Sequence, residues 1–429
     1  MLTALPISAP VLHPEEAREP LSFRQCVAVA AAWYSLLVGA VVALAAWFPA
    51  SWHLTQSAFS NWDAEHYLFI RQHGYDEMRA AFFPLFPFLW RLLNVSPMAM
   101  GLVNLALFAV SFAALAWQFQ WPWRTQLVLL SVPSLLFMAL PFSEAVFFAS
   151  GTALLLGLRR QLPWLYCLGL LLSCTCRAAA FVILPAVAAT SLFTQSSSRR
   201  QVGTAVAAVV AVAATLLGLG ISMAIHHAYT GNWFAVFAAQ RFWDSHLQWP
   251  TLPLRSWGGI FSTRYESPSL LIGLGCGVGL GWVAWHHWRQ LLPAAAQPAI
   301  FALAYLGGVT FITLATRGGV LASLSRYIYA TPYFLLLLAD FMSRVRLSNR
   351  QLITLFFLME VAWLVLFESY THIRSVLGYT AVTVIVLLWL LNAHQHPQVR
   401  RWALLPTVVA GTGLLLYQLM RFLAHEWVA

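Results

Sequence analysis

The sequence contains no lysine, and charged residues of all kinds make up only 9% of its 429 residues. Soluble domains carry about 25% charged residues because their surfaces face water, so this scarcity excludes a soluble globular domain. The 24 basic residues are all arginine and outnumber 14 acidic residues, which gives a net charge of +10. The arginines stand at the ends of apolar segments, which argues against the solvated basic surface of a nucleic-acid-binding protein.

Cysteine is also scarce, and its spacing indicates neither a disulfide framework nor a zinc site. The five cysteines are Cys26, Cys167, Cys174, Cys176 and Cys276. We interpret them as small packing residues. The sequence gives no firm prediction of a cofactor, and a divalent metal ion is considered below only as an alternative.

Apolar residues make up 60% of the chain, whose mean hydropathy is +0.73. Apolar windows near the length that crosses about 30 Å of hydrocarbon predict about 11–13 transmembrane helices. The sequence therefore predicts an all-α polytopic membrane protein. We expect a cytoplasmic leader over residues 1–25, one transmembrane domain over 26–423 and a short tail over 424–429.

The arginine clusters predict the orientation of these helices. If the N-terminus is cytoplasmic, every cluster falls on that side, as the positive-inside rule requires. The residues assigned to the cytoplasmic side are Arg124, Arg159, Arg160, Arg199, Arg200, Arg289, Arg344, Arg346, Arg350, Arg400 and Arg401. The arginines left on the outer side are scattered singly and need another explanation.

Two outer segments, 49–97 and 226–268, are too long to be simple connections. Long loops in a compact chain are usually functional. Both are rich in Trp, Phe and His, which is typical of helices that lie at a membrane interface. The second segment can be an amphipathic lid over the first or an inert interfacial belt, and the sequence leaves both open.

The first outer segment carries four of the acidic residues, Asp63, Glu65, Asp76 and Glu77. Ser60 or Asn61 can cap a helix that runs to about His73, where Gly74 fits the C-terminal stop. On that helix Asp63, His66 and Tyr67 share one face at positions i, i+3 and i+4.

Asp63 is the strongest candidate for catalysis, as a general base beside an imidazole under aromatic cover. One alternative is an acid in the first helical turn, favoured by the helix dipole. Another is a metal site formed by Asp63, Glu65, His66 and His73, although two of these lie off the common face.

Three short elements follow one another in this segment: Trp62-Asp63-Ala64-Glu65-His66-Tyr67, Gly74-Tyr75 and Ala81-Phe82-Phe83-Pro84-Leu85-Phe86-Pro87. Their order and spacing resemble the PIG-V family of mannosyltransferases. Further matches are Pro141-Phe142-Ser143-Glu144, Thr175 with Arg177, and Ser325-Arg326-Tyr327 with Pro332. The sequence departs from the family pattern at Cys176, Ala178 and Ala179, where polar residues are replaced by residues that form few hydrogen bonds.

The resemblance implies a GT-C glycosyltransferase, a multi-span enzyme that uses a polyprenyl-phosphate sugar and inverts the anomeric carbon. Such a displacement needs a base, for which we expect Asp63, and a group that stabilises the departing phosphate. Guanidinium groups bind phosphate oxygens bidentately. Arg177 and Arg326 are the first candidates for binding the phosphate, and Arg79 and Arg241 are the second choice. Each of the four can instead be an interfacial snorkelling residue.

Other residues are expected to contact substrate with these arginines. Glu144 carries a charge in an apolar setting, where charge is costly, although it can simply hydrogen-bond a neighbouring helix. The complete set expected to bind substrate is His66, Glu65, Arg79, Glu144, Arg177, Arg241, Arg326 and Tyr327. The implied partners are a polyprenyl-phosphate sugar donor, a lipid-linked or glycan acceptor and membrane lipids, without nucleic acid.

A transporter or flippase of a lipid-linked anionic substrate is the main alternative function. It predicts ionisable residues and broken helices near the bilayer midplane, whereas most unexplained charge here lies in an outer segment. An inactive relative that assists another enzyme is a third reading, against which the intact Asp63 argues. The expected membrane is the bacterial inner membrane or, in a eukaryote, the endoplasmic reticulum in the pathway of GPI assembly.

Overall fold

The computed structural model describes residues 21–47, 54–194, 201–287 and 292–428, with the helical backbone alone over 201–205. Most of the expected leader, together with Arg199, Arg200 and Arg289, lies outside the described residues. Within the described ranges the regular elements are all helical, apart from three isolated β-bridges. The prediction of an all-α polytopic membrane protein is confirmed.

The described residues form seventeen α-helices. The first eight are α1 (Phe23–Trp47), α2 (Asp63–His73), α3 (Leu85–Leu93), α4 (Pro97–Gln118), α5 (Trp123–Leu130), α6 (Glu144–Arg160), α7 (Pro163–Cys176) and α8 (Ala180–Phe193). The other nine are α9 (Gln201–Thr230), α10 (Ala235–Ala238), α11 (Gly259–His287), α12 (Gln297–Arg317), α13 (Leu324–Tyr329), α14 (Pro332–Arg344), α15 (Asn349–Phe367), α16 (Ile373–Leu391) and α17 (Pro397–Leu423).

Eight of these helices are long and apolar enough to cross a membrane, counted over the described ranges. A ninth is added if the 3-10 segment Pro133–Ala139 and α6 are one span that bends by 105°. The count is lower than the 11–13 expected, because α7 and α8 have only 14 residues each. Apolar composition alone does not show where a helix breaks, and Pro133 and Pro332 both begin new helical segments.

Helix ends that the arginine clusters assign to the same side of the membrane contact each other. On the expected cytoplasmic side, the Arg159 guanidinium lies 5.6 Å from the Phe119 ring centroid, and Arg160 Nε donates to Gln118 Oε1 at 2.6 Å. On the expected outer side, Arg326 contacts Asp63. The side of the membrane that each end faces stays a prediction.

The two outer segments pack on one another. The second extends over 231–258 and is shorter than expected, because α11 begins at Gly259 rather than near Pro268. Its Trp243 ring contacts Phe82 of the first segment with 5.6 Å between centroids. It is also tied to the end of α12, where His246 N donates to Thr316 O at 3.0 Å.

Two glycines allow a close approach between α6 and α7 in the core. A Cβ at Gly157 of α6 would lie 2.4 Å from Tyr166 N, and one at Gly169 of α7 would lie 2.5 Å from Leu154 N. Small residues at such crossings bring two backbones into van der Waals contact. The tight α6–α7 pair fixes the two helix ends that carry Glu144 and Arg177.

Replacing Gly169 with alanine should destabilise the protein by about 1–3 kcal/mol, because overpacked helices must separate when the neighbouring atom belongs to the backbone. The thermal unfolding midpoint of the purified protein in nanodiscs measures this change. Gly281→Ala in α11 is the matched control, since its Cβ would meet nothing within 4 Å. Equal midpoints for the two variants would contradict the packing argument.

Candidate functional site

Four charged side chains from distant parts of the chain meet in one cluster. Arg326 Nη2 donates to Asp63 Oδ2 at 2.8 Å. Arg326 Nε and Nη2 both donate to Glu144 Oε1, at 2.8 and 2.6 Å. Arg177 Nη1 lies 3.2 Å from the same Glu144 oxygen. The structure thus brings together four of the residues expected to form the site.

Each member of this cluster stands at or near a helix end. Asp63 and Glu144 are the first residues of α2 and α6, where the helix dipole favours a negative charge. Arg177 is the C-cap residue of α7, where the dipole favours a positive charge. Arg326 is in the six-residue helix α13. The cluster therefore depends on the meeting of four helix ends.

The exposure of the side chains increases across the cluster, from Glu144 at its buried side to Asp63 at its partly open side. The Glu144 side chain is fully buried and that of Arg326 is 4% exposed, whereas Arg177 and Asp63 are 15% and 20% exposed. Burial acts to lower the pKa of Arg326, but Glu144 and then Asp63 outweigh it and raise the pKa. Both arginines are therefore cationic, and two positive charges balance two negative ones.

Aromatic rings pack against the guanidinium groups of both arginines. The Arg326 Cζ atom lies 4.7 Å from the Phe137 centroid and 4.9 Å from that of Phe142. Arg177 lies 4.9 Å from the Tyr327 ring centroid. Cation–π contacts of this kind gain strength where water is excluded. Tyr327, also expected in the site, thus contacts the cluster through its ring.

The turn before Asp63 differs from the expected cap. Neither Ser60 nor Asn61 caps α2, so that prediction is wrong: the N-cap residue is Trp62, without a side-chain hydrogen bond. Trp62 has φ 58°, a strained conformation for a residue with a side chain. The predicted end is confirmed, since Gly74 has φ 85° and donates its N–H to Ile70 O.

Residues at the end of α17 and just beyond it hold this strained turn, and no sequence pattern indicated their role. Asn61 Nδ2 donates to Phe422 O at 2.9 Å, and its Oδ1 lies 2.7 Å from His425 Nδ1. The Trp62 ring stacks on His425 with 5.4 Å between centroids and meets the edge of Trp427 at 5.0 Å. These contacts offset the cost of the backbone conformation that points Asp63 into the cluster.

Two buried polar contacts support the cluster and were not assigned from the sequence. The Tyr67 hydroxyl lies on the expected face of α2 and donates to Ser143 Oγ at 2.9 Å, beside Glu144. Glu266 of α11 is buried and accepts the N–H of Ser323 at 2.7 Å, just before the helix that carries Arg326. An isolated acid in an apolar helix was the signal that could have identified Glu266.

His66 lies beside the cluster under aromatic cover. Its ring stacks on Phe82 with 4.9 Å between centroids and meets the edge of Trp243 at 5.4 Å. Burial lowers the pKa of His66, although Asp63 acts to raise it. Its Nδ1 atom is buried and has no hydrogen-bond partner among the described residues. The His66 ring is therefore neutral and packs against the second outer segment.

The other expected residues lie outside the cluster. Glu65 is exposed and forms no ion pair with any described residue. Arg79 pairs with Asp76 and stacks over a phenylalanine ring of α2, with 3.6 Å from its Cζ to the centroid. Arg241 pairs with Glu77 at 2.8 Å, and both side chains are mostly exposed. Arg79 and Arg241, the second-choice candidates for the phosphate, are therefore paired with acids of the first outer segment and do not contact the cluster.

The alternative of a metal site in this segment is wrong for the described residues. In that part of the chain no three His, Cys, Asp or Glu side chains lie close enough together to hold a metal ion. Asp63 faces Arg326, Glu65 faces outward, and His73 packs against Phe69 with 4.6 Å between centroids. The four proposed ligands do not converge.

Comparisons with protein-family models, with curated proteins and with solved structures found no match for this chain. The resemblance noted above therefore rests on its short motifs alone. The site itself rests on its geometry, in which residues from four of those motifs are in contact.

Replacing Glu144 with glutamine should cost about 3–5 kcal/mol, because the change leaves two buried arginines without their shared counter-ion. The thermal unfolding midpoint in nanodiscs measures the loss. Glu65→Gln makes the same chemical change at an exposed position and should leave the midpoint unchanged. If both variants have the same thermal unfolding midpoint as the unmodified protein, Glu144 does not stabilise the cluster.

Replacing His425 with alanine should loosen the turn before Asp63, since the substitution removes both the stacked ring and the partner of Asn61. Hydrogen exchange of the backbone amides over 61–65 should become faster. His396→Ala, at the other end of α17, is the control and should leave those amides unaffected. Unchanged hydrogen exchange in the His425 variant would show that the turn does not depend on His425 for its stability.

Proposed function

We propose that this protein is an inverting glycosyltransferase of the outer or lumenal membrane face, specifically a mannosyltransferase. It moves a sugar from a polyprenyl-phosphate donor to a hydroxyl group of a lipid-linked or glycan acceptor. The observation that carries the proposal is a partly exposed carboxylate, that of Asp63, in direct contact with the buried guanidinium group of Arg326. The sugar and the donor lipid come from the family resemblance, and the roles below come from the geometry.

Asp63 is the general base of the proposed reaction. Its Oδ2 atom accepts from Arg326, which orients the carboxylate, while Oδ1 has no hydrogen-bond partner among the described residues. The acceptor hydroxyl gives its proton to Oδ1 as its oxygen bonds to the anomeric carbon. The bond from that carbon to the phosphate oxygen breaks, and its electron pair leaves with the phosphate.

Arg177 is the better placed arginine for the departing phosphate. It is more exposed than Arg326, and its contact with Glu144 uses only one of its nitrogens. The remaining N–H groups can donate to phosphate oxygens, whose charge grows as the sugar leaves. Arg326 is bound by two carboxylates, so its main role is to position Asp63.

A transporter or flippase is the second candidate, and the 105° break between the segment Pro133–Ala139 and α6 favours it. Discontinuous helices near charge are typical of transport sites. However, Glu144 begins α6 and Arg159 and Arg160 end it. A cluster at the first residue of a helix whose other end carries two arginines supports a position near one membrane surface, and so supports surface chemistry over transport.

Replacing Asp63 with asparagine should lower sugar transfer by about 10²–10⁴-fold, the usual contribution of a general base. The assay follows labelled mannose from polyprenyl-phosphate mannose into lipid and glycan fractions, with the purified protein in nanodiscs. Glu65→Gln in the same helix is the matched control and should retain activity. The thermal midpoint of each variant separates lost chemistry from lost folding.

Two outcomes would contradict the proposal. If the unmodified protein transfers nothing across several acceptor extracts while the donor moves between leaflets regardless of Asp63, the transporter reading replaces it. If the Asp63 variant transfers sugar as fast as the unmodified protein, the reaction uses another base.

A further inference from the structure

A groove of about 230 Å³ lies between α11, α16 and α17, outside the charged cluster. One face of α16 forms its long wall, with Gly378, Val382, Val386 and Trp389 spaced at helical intervals. The first and last of these positions are eleven residue steps apart, or about 16 Å at a rise of 1.5 Å per residue. Val382 and Val386 are partly exposed on a membrane-spanning helix. The groove is therefore long, narrow and open to hydrocarbon.

Arg264 is the one charged residue that lines this groove. Its Cζ atom would lie 2.3 Å from a Cβ at Gly378, so the guanidinium rests directly on the α16 backbone. It also lies 5.6 Å from the Tyr379 centroid, and its Nη2 atom donates to Arg374 O at 2.9 Å. Three contacts hold the guanidinium in place at one end of the apolar wall.

The charge of Arg264 is not balanced within the described part of the chain. No described carboxylate lies within salt-bridge distance of it, and its Nε atom is buried without a hydrogen-bond partner. Glu266, two residues along α11, is turned to the N–H of Ser323 instead. The exposed Arg374 beside it adds a second positive charge. A charge at an apolar surface requires a partner of opposite sign.

We propose that this groove binds an anionic phospholipid of the surrounding membrane, with the phosphate at Arg264 and one acyl chain along α16. Arg264 lies near the same end of α11 as Glu266, whose contact with Ser323 adjoins the charged cluster. This is the expected outer end, where lipid headgroups reside. Arg264, which has no ion-pair partner among the described residues, and the exposed Arg374 beside it favour an anionic headgroup over a zwitterionic one. The inference does not depend on the proposed enzyme activity.

The test is native mass spectrometry of the protein released from nanodiscs of equal phosphatidylglycerol and phosphatidylcholine. The unmodified protein should retain phosphatidylglycerol in preference, and Arg264→Gln should weaken that retention about fivefold, the usual effect of one basic residue at a membrane surface. Arg91→Gln removes another exposed outer arginine and should change nothing. Val386→Phe fills the groove without altering charge and should also displace the lipid.

Four results would overturn this inference. If the unmodified protein retains the two phospholipids equally, the binding is ordinary lipid adhesion. The same holds if the Arg264 and Arg91 variants retain equal amounts of phosphatidylglycerol. Retention by the Val386 variant would place the lipid elsewhere on the protein. Displacement of phosphatidylglycerol by added polyprenyl phosphate would make the groove a site for that lipid instead.

Discussion

The buried carboxylate of Glu144 is the contact on which the outer half of this structure depends. One of its oxygens accepts from Arg326 and lies near Arg177, and Arg326 in turn contacts Asp63. Burying four charges is costly, and their mutual attraction offsets that cost only when each charge has a partner. The contacts therefore fix α2, α6, α7 and α13 relative to one another, and they create the only environment in which the proposed base is both oriented and accessible.

The class of fold follows from composition, because a chain with so few charges must place most of its surface in lipid. Several local features also follow from the sequence, such as the end of α2 at Gly74. The helix count does not follow, because apolar windows do not reveal that Pro133 begins a separate short segment. Interfacial helices and short spans have the same composition, so length decides between them only once the breaks are known.

The candidate site was predictable in part for a related reason. Costly charges in apolar surroundings, Glu144 and Arg326 among them, stand out in a sequence. Arg79 and Arg241 do not join them because the acids Asp76 and Glu77 of the first outer segment supply nearer partners. The contact between Asn61 and His425 joins residues 364 positions apart, and no local pattern encodes such a pair.

The outer face combines a fixed site with a cover. The charged cluster is held by helix ends, whereas Trp243 of the second outer segment packs over His66 and Phe82. A rigid site beneath a separate loop suits a reaction that must exclude water from a sugar-phosphate bond and still admit an acceptor. None of the four charged residues of the cluster lines the groove beside Arg264, so lipid contact and chemistry use different side chains.

The most direct test of the central claim is the position of a bound phosphate. A cryo-electron microscopy map of the protein in nanodiscs with polyprenyl phosphate, the product that the proposed donor leaves behind, would locate it. The account predicts phosphate density within hydrogen-bond distance of Arg177, on the side of the cluster where Asp63 is exposed. Phosphate density elsewhere, with the contacts among Asp63, Arg326 and Glu144 unchanged and no ligand beside them, would contradict it.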